Sequence, residues 1–263
     1  MPSASTTACP ISCYVRTLNE ERRIGEVIAA AQKICAEVII VDSGSTDKTR
    51  AIAEGLGARF IDQPWLGNGR QKRAGEDAAK HDWILDIDAD EVVSDTLADE
   101  IRKAFQSEPS PGTLFSLNVA TAPPFGNPWI GFGGARRVKL YNKSYIRQPD
   151  HAAWDQLDIP KGASITALKE PLIHYSFADA AHLMRKQNRV STVRANETKL
   201  KPIGYLRARI LFGYPIYFLR NYVQRGMFRG GVYGFVVAAI AAQNRWLKDV
   251  KMYEIHRMGD KNS

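Results

Sequence analysis

Trp83-Ile84-Leu85-Asp86-Ile87-Asp88-Ala89-Asp90-Glu91 is the stretch from which this chain is read. An apolar strand runs straight into four carboxylates. Aspartate and glutamate form strands poorly and repel one another when crowded. Alternate positions of an extended chain share a face, so Asp86, Asp88 and Asp90 are expected on one side. Such a crowd requires positive charge. A hard divalent cation, Mg²⁺ or Mn²⁺, held by oxygen ligands is the simplest source, and at a strand end it suits a phosphate-bearing substrate. Two plainer readings stand beside it: Asp90 and Glu91 as solvated acids in a turn, and Asp86 paired with a buried Arg or Lys.

The segments upstream give the strand its setting. Ile11-Ser12-Cys13-Tyr14-Val15-Arg16 is β-branched and aromatic and reads as a first strand. Asn19 is expected to cap a helix running to about residue 34, with Glu20 and Glu21 in its first turn. Val38-Ile39-Ile40-Val41 reads as a buried parallel strand. It ends in Asp42-Ser43-Gly44-Ser45-Thr46-Asp47, a turn-rich loop in which Asp47 caps a second helix over 48–56. Ala58-Arg59-Phe60-Ile61 is a third strand, and Gly67-Asn68-Gly69-Arg70 leads into a helix through Lys80. The result is β-α-β-α-β-α-β, spaced as for right-handed parallel crossovers. Ligands of such sheets bind outside the carboxyl ends of the strands. Arg16-Thr17, Asp42 and the Asp88 cluster all stand at such ends and are expected to line one crevice.

Downstream, a polar helix is expected over 95–106, and strands over 113–119 and 137–141 extend the sheet. The Pro/Gly-rich stretch 123–134 between them reads as an ordered substrate loop. Pro128-Trp129 and Phe132 can form an aromatic wall for a sugar ring; a loop packed by its own aromatics is the equal alternative. Helical periodicity resumes near Asp179. The expected division is therefore a catalytic domain over 1–178 and a helical extension over 179–263.

The totals narrow the class. The chain has 263 residues, 44% hydrophobic, enough for one large α/β domain with an appendage. Lys plus Arg number 36 against 28 acidic residues, a net charge of +8 that calls for an anionic partner. Three cysteines, Cys9, Cys13 and Cys35, have no zinc spacing and argue for a reducing compartment. The first ten residues show neither a basic start nor an apolar core, so no secretory signal is expected. No apolar run is long enough to span a bilayer. From Tyr205 to Arg229 aromatics and arginines interleave, and Gly230 to Ala242 is an apolar patch. That composition suits a helical cap on the fold that also rests on an anionic membrane surface. The expected location is cytoplasmic, at the inner face of the membrane.

Several residues are candidates for chemistry. Gly67 to Arg73 offers backbone N–H groups and the cations Arg70, Lys72 and Arg73, which suit a pyrophosphate; Arg70 and Arg73 share one helical face. Asp42 can accept hydrogen bonds from a nucleobase or ribose, or simply form an Asx turn. Asp150 and Asp155 flank His151 and Trp154, and either carboxylate can serve as a general base or lie solvated at the surface. His174, after Pro171-Leu172-Ile173, can complete a metal shell with the Asp pair, though such a histidine is usually a hydrogen-bonded core residue.

Taken as a set, Thr17-Leu18-Asn19-Glu20-Glu21, Val41 to Asp47, Gly67 to Arg73, Asp86 to Glu91 and Leu172-Ile173-His174-Tyr175-Ser176 resemble glycosyltransferase family 2. More narrowly, they resemble its lipopolysaccharide core β-glucosyltransferase branch, over about residues 10 to 235. The resemblance implies a GT-A fold, Rossmann-like, with a mostly parallel sheet flanked by helices, here followed by the basic-aromatic helical extension. It implies a UDP-sugar donor, a glycolipid or oligosaccharide acceptor, a divalent metal and inversion at the anomeric carbon. Residue by residue, it makes Thr17, Asn19, Glu20, Asp42, Arg70, Arg73 and Asp88 donor-binding, with Asp42 at the uridine. Asp90 and His174 become metal ligands. Ala153-Trp154-Asp155 stands where the family has Val-His-Glu, which makes Asp155 the expected base and Asp150 the alternative. Two other classes compete. A sugar nucleotidyltransferase would carry a Gly-rich loop with Arg and Lys after its first strand, where this chain has Arg16-Thr17-Leu18-Asn19-Glu20. A basic nucleic-acid binder leaves the acidic cluster unexplained, so no nucleic-acid partner is expected.

Overall fold

Continuous apolar runs become buried strands because both sheet faces must be covered. In order, the first half contains β1 (Cys9–Thr17), α1 (Ile24–Gln32), β2 (Cys35–Asp42), α2 (Thr49–Gly55), β3 (Arg59–Asp62), α3 (Asn68–Ala78) and β4 (Trp83–Asp88). The second half adds β5 (Glu91–Val93), α4 (Asp95–Ala104), β6 (Thr113–Thr121), β7 (Ala135–Asn142) and β8 (Ser164–His174). This is a computed structural model, and it describes residues 8–152 and 154–259. The segment on which the expectation of no secretory signal mostly rests, and Ala153 of the Trp154-Asp155 stretch, lie outside the described residues.

The eight strands form one sheet in the order β3-β2-β1-β4-β7-β6-β8-β5. β1 pairs parallel with β2 and β4, and β2 pairs parallel with β3. β7 joins β4 and β6 antiparallel, and β5 joins β8 antiparallel. One face of the sheet packs Val15, Ile40, Leu85 and Ile87 against Ile24, Val27 and Ile28 of α1. The other packs Tyr14, Ile39 and Ile84 with Tyr141. Each such side chain contributes about 1.5–3 kcal/mol by leaving water. Chain order reverses at β1: β2 lies on one side and β4 on the other. The carboxyl ends of β1 and β4 therefore border the switch-point crevice at which open α/β sheets bind ligands.

The expected elements of the first half are present, with bounds shifted by one to four residues. Asn19 is a correction. It does not cap α1, which begins at Ile24 after Arg23. Asn19 sits at φ 56°, and its Oδ1 accepts from Thr46 N at 2.8 Å while its own N–H donates to Ser45 Oγ at 2.7 Å. It ties the loop after β1 to the loop after β2, a task for which asparagine's tolerance of left-handed backbone qualifies it. β5 and β8 were not legible. β8 is largely exposed along its first half and carries Pro171, a poor strand signature.

By contacts the chain divides into two compact units, one comprising Met1–Ala120 and Ala135–His174, the other Thr121–Gly134 and Tyr175–Ser263. The boundary after His174 lies near the expected residue 178, but 121–134 groups with the C-terminal helices and not with the sheet. In that second unit α5 (Ala180–Glu197) and α6 (Ile203–Leu219) are followed by a π-helical turn (Arg220–Gln224), a 3₁₀ turn (Met227–Gly230) and α7 (Gly231–Gly259). Trp129 is buried there with Phe177, Leu183, Met227 and Val237, and stacks on Phe132 with ring centroids 5.6 Å apart. Of the two readings of this loop, packing by its own aromatics describes Trp129. Gly234 lets α7 cross the preceding turn, since a Cβ there would come 2.0 Å from Met227 O. No helix among the described residues is long and apolar enough to cross a membrane.

Candidate active site

The acids that end β4 meet three cations supplied by the chain itself. Arg16, beside Asp88 in the β1–β4 register, donates from Nη2 at 2.6 Å and Nε at 3.1 Å, both to Asp88 Oδ1. Lys72 Nζ donates to Asp86 Oδ2 at 2.6 Å. Lys139 Nζ donates to Glu91 Oε2 at 2.6 Å and to the Asp86 carbonyl at 3.2 Å, and lies 3.9 Å from Asp88 Oδ2. Glu91 Oε2 also accepts the Asp88 N–H at 2.9 Å, closing the turn that carries Ala89 and Asp90. Of the two readings of Asp86, pairing with a buried cation describes it, and Glu91 is a correction: it is neither a solvated acid nor open to a metal but buried and paired with Lys139.

Electrostatics follow from that geometry. Burial alone would raise the Asp88 carboxyl, but Arg16, Lys139 and Lys72 outweigh it and hold Asp88 well below the usual carboxylate range. Asp86 is likewise lowered, by Lys72 and Lys139 against burial. Burial works against charge on Lys139, and Glu91, Asp86 and Asp88 more than offset it, so the ammonium is held protonated. Glu91 is pushed up by burial, which its bond to Lys139 only partly counters. Both bonds from Arg16 fall on Oδ1 of Asp88. Asp88 Oδ2 therefore remains the oxygen able to accept a ligand hydroxyl, on a side chain one-third exposed.

Asp90 and His174 lie beside this network. The antiparallel pairing of Glu91 with His174 brings the end of β8 beside the turn, with His174 Nε2 3.2 Å from Asp90 Oδ2. Each side chain is about a quarter exposed. Among the described residues no three His, Cys, Asp or Glu side chains group to hold a metal ion. A pair of protein ligands is nonetheless what a hard divalent cation needs when substrate phosphates and water complete its shell. Asp90 and His174 fit such a cation, and do not fit a metal caged by protein alone.

A cavity of about 610 Å³ opens over these groups, bordered by Asp88, Lys139, His174, Arg137 and Asp155. Asp155 Oδ2 lies 3.7 Å from Arg16 Nη2 and 3.9 Å from Lys72 Nζ, with about a third of its side chain exposed. Asp150 is mostly exposed and paired with Arg70 at 2.8 Å, outside the cavity lining. The structure thus places Asp155, not Asp150, at the acidic cluster.

The loop expected to hold pyrophosphate is occupied by the chain itself. Asn68 N–H donates to Ala152 O at 2.6 Å and Gly69 N–H to His151 O at 3.1 Å. Gly67 and Gly69 are required by that contact: a Cβ on either would come 2.3 Å from a carbonyl oxygen of this segment. Arg70 and Arg73 share one face of α3, as expected, but it is not the cavity face. Arg70 bonds Asp150 and Arg73 Nε lies 4.0 Å from Glu76. Lys72, turned about 100° per residue away from either neighbour, is the cation that points inward.

Thr17, Asn19, Glu20 and Asp42 form the neighbouring cluster at the ends of β1 and β2. Asp42 is buried. It accepts from Thr17 Oγ1 at 2.8 Å, from Ser45 Oγ at 2.5 Å, and from the Gly44 and Ser45 N–H groups at 2.9 and 2.7 Å. Burial raises this carboxyl, but those four bonds outweigh it and lower it. They also fill both lone pairs of each oxygen. Asp42 therefore shapes its loop as an Asx turn, and a direct bond to a nucleoside requires one of the four to be surrendered. Glu20 contributes its N–H to Thr49 Oγ1 at 2.8 Å. Sequence reasoning passed over Lys139, Arg137 and Gln148. The one available signal is the alternation of Arg137 and Lys139 within a strand, two cations on one sheet face.

Comparison with known proteins adds the following. The family described as glycosyl transferase family 2 matches residues 12–157. A protein of Rickettsia bellii named uncharacterized glycosyltransferase is 34% identical, covering 93% of this chain and 86% of its own. The lipopolysaccharide core biosynthesis glycosyltransferase LpsC of Rhizobium meliloti is 29% identical, covering 95% of this chain and 94% of its own. Among solved structures, glucosyl-3-phosphoglycerate synthase of Mycobacterium tuberculosis, in complex with Mn²⁺, UDP and glucosyl-3-phosphoglycerate, is 26% identical over 43% of this chain and 44% of its own, with a TM-score of 0.35.

Proposed function

Because this chain belongs to glycosyltransferase family 2, we propose that it is an inverting hexosyltransferase that moves a sugar from a UDP-sugar to a hydroxyl of a cell-envelope glycan. The observation that carries this reading is the switch-point crevice, where Asp88, Asp155 and His174, itself 3.2 Å from Asp90, border one cavity that Lys72 and Lys139 also line. A nucleoside diphosphate is an anion with ribose hydroxyls. Asp88 Oδ2 accepts a hydroxyl, while Arg16, Lys72 and Lys139 give the pocket positive charge to balance the phosphates. Thr17, Asn19, Glu20 and Asp42 hold the two adjoining loops in the shape that receives the nucleoside. The envelope-glycan acceptor rests on the 29% identity with a protein named for lipopolysaccharide core biosynthesis.

Asp155 is the base in this proposal. Its carboxylate takes the proton of the acceptor hydroxyl, the oxygen forms a bond to C1 of the sugar, and the electron pair of the opposite C1–O bond leaves with the diphosphate. Attack from the face opposite the leaving group inverts the anomeric centre without a covalent enzyme intermediate. Arg16 and Lys139, each within 4 Å of the donor-binding Asp88, stabilise negative charge as it grows on the diphosphate. Asp90 and His174 would hold a Mg²⁺ or Mn²⁺, which supplies further charge to the leaving group.

The C-terminal helices are proposed to rest on an anionic membrane. Leu211, Phe212, Ile216 and Leu219 of α6 are all more than half exposed, among the exposed Arg207, Arg220 and Arg225. Apolar side chains buried at the headgroup boundary, with cations beside lipid phosphates, are how a helix binds a bilayer surface. The function is tested with a panel of nucleotide sugars, Mn²⁺ or Mg²⁺, and defined oligosaccharide core acceptors. Transfer from one UDP-sugar with inverted product stereochemistry supports the reading. Transfer of a nucleotide to a sugar phosphate, with pyrophosphate released or consumed, supports the nucleotidyltransferase instead.

A further inference from the structure

In the C-terminal unit a second cavity, of about 460 Å³, lies among helices. Lys186 and Arg194 reach it from α5, Lys201 from just before α6, and Arg209 from α6. The π-helical turn adds Arg220, with Arg225 immediately after it, and α7 adds Arg245 and Lys248. None of the lining residues is acidic. The carboxylate in contact with this group is Asp249, fully buried. Its Oδ2 accepts from Arg209 Nε at 2.9 Å and from Tyr217 OH at 2.9 Å, and its Oδ1 lies 4.0 Å from Lys201 Nζ. Eight cations thus line this cavity, and two of them, Arg209 and Lys201, reach Asp249.

Crowded cations on a solvated face normally extend away from one another. Several of these are anchored. Arg209 Nη1 donates to Tyr205 OH at 2.9 Å. The guanidinium groups of Arg209 and Arg245 lie 5.2 and 5.1 Å from the centre of the same Tyr217 ring. Lys248 Nζ donates to Thr198 Oγ1 at 3.1 Å. Lys248 is also held below the ordinary lysine range, by burial first and then by Lys201, with Arg194 and Arg245 adding to it. The π-helical turn is a second pointer: such turns depart from regular helical bonding and are frequent at functional sites. Here it brings Arg220 and the buried Asn221 to the cavity. Guanidinium forks matched to tetrahedral oxyanions are the usual means of holding phosphate, and the volume suits a small charged headgroup.

We infer that this cavity binds a phosphate monoester or diphosphate group, with Arg220, Arg225 and Arg245 as its principal donors. It shares no residue with the cavity at Asp88. The ligand can be a soluble sugar phosphate or a lipid headgroup ending in phosphate. Two assays on the full chain separate these sources: calorimetric titration with inorganic pyrophosphate, and flotation with phosphatidylcholine vesicles containing phosphatidic acid or, at equal charge, phosphatidylglycerol. Both are run with UDP and Mn²⁺ in excess and repeated with Arg220→Gln/Arg245→Gln. The difference between wild type and variant then reports the second cavity whether or not the donor crevice is filled.

A loss of at least tenfold in pyrophosphate affinity supports the inference with a soluble ligand. A loss in flotation that is larger with phosphatidic acid than with phosphatidylglycerol vesicles of equal charge supports it with a lipid ligand, and equal losses with the two overturn that source. Unchanged binding in both assays overturns it. Because removing two arginines can disturb folding, phenylglyoxal labelling of the wild-type chain gives an independent reading. Pyrophosphate or phosphatidic acid vesicles should slow labelling of Arg220, Arg225 and Arg245 at least threefold relative to Arg50, and equal labelling rates with and without them overturn the inference.

Discussion

Replacing Lys139 with methionine tests how the acidic cluster is held. Its ammonium is 6% exposed with its residue, 2.6 Å from Glu91 Oε2 and 3.9 Å from Asp88 Oδ2. Methionine keeps the aliphatic length but leaves Glu91 buried without its cation. Breaking a buried pair in this way costs about 3–5 kcal/mol. At about 2–4 °C per kcal/mol for a chain of this size, the melting temperature should fall by about 10 °C. The double variant Lys139→Met/Glu91→Gln should recover more than half of the loss. It removes the stranded charge, and the amide oxygen can still accept the Asp88 N–H. pH supplies a second signature. Glu91 is already raised above the ordinary 4.5, and without Lys139 burial raises it further. A carboxyl raised in the folded state destabilises at pH above its folded value, and the penalty fades as pH falls toward the unfolded value. The deficit of the single variant should therefore shrink between about pH 7.5 and about pH 5. Denaturant melts of the four proteins of the cycle at both pH values measure this. A single variant melting within about 2 °C of wild type, or a double variant no better than the single, would refute the pairing.

Asp155→Asn should slow sugar transfer by about 10²–10⁴-fold while UDP binding is retained; lost UDP binding with it would assign Asp155 to holding Arg16 and Lys72 instead. Asp90→Ala should weaken Mn²⁺ binding in the presence of UDP by about 10–100-fold, read by electron paramagnetic resonance, and wild-type Mn²⁺ affinity would remove Asp90 from the metal shell. Asp42, Asp86 and Asp88 are all lowered from an ordinary 3.8. Their contribution to stability is present above that value and lost as pH falls through their folded values, so acid should destabilise the chain steeply below about pH 4. Asp42→Asn should flatten that slope, and an unchanged acid titration would contradict the four bonds drawn to Asp42. Gly75→Ala should cost about 1–3 kcal/mol, because its Cβ would come 2.6 Å from the Tyr14 ring in a closed core; an unaltered melting curve would show that α3 can shift.

The parallel half of the sheet was legible because its signals are local. Val38 to Val41 and Trp83 to Leu85 are short apolar runs, and each leads into acids at the end of its strand. That Asp42 and Asp88 both stand at the carboxyl ends of parallel strands follows from chain order and the length of the crossovers. Asp86 shows the limit of this reading. Its sequence neighbours announce that a cation is needed, and two kinds were foreseen, but which kind depends on Lys72, 14 positions away, and on Lys139, 53 positions away. Arg70 and Arg73 were named for a pyrophosphate, but they stand on a face of α3 outside the cavity lining. The rotation of α3 about its axis is set by the packing of Gly75 on Tyr14 and of Gly67 and Gly69 on residues 149–154, contacts that no local pattern encodes.

By itself, then, the chain's order of residues determined a doubly wound β-α framework, a crowd of carboxylates at its switch point and a basic, aromatic C-terminal third. Periodicity, turn chemistry and charge count act over a few residues and can be read directly. Only the tertiary structure decided how the charges are shared. It gave Asp86 and Glu91 to buried lysines, left Asp90 with His174 from the far end of β8, and set Asp155 rather than Asp150 beside Arg16. It also gathered cations from α5, α6, the π-helical turn and α7 about one cavity. Coulomb and hydrogen-bond energies depend on distances of a few ångströms, and those distances are fixed by packing between segments far apart in the sequence.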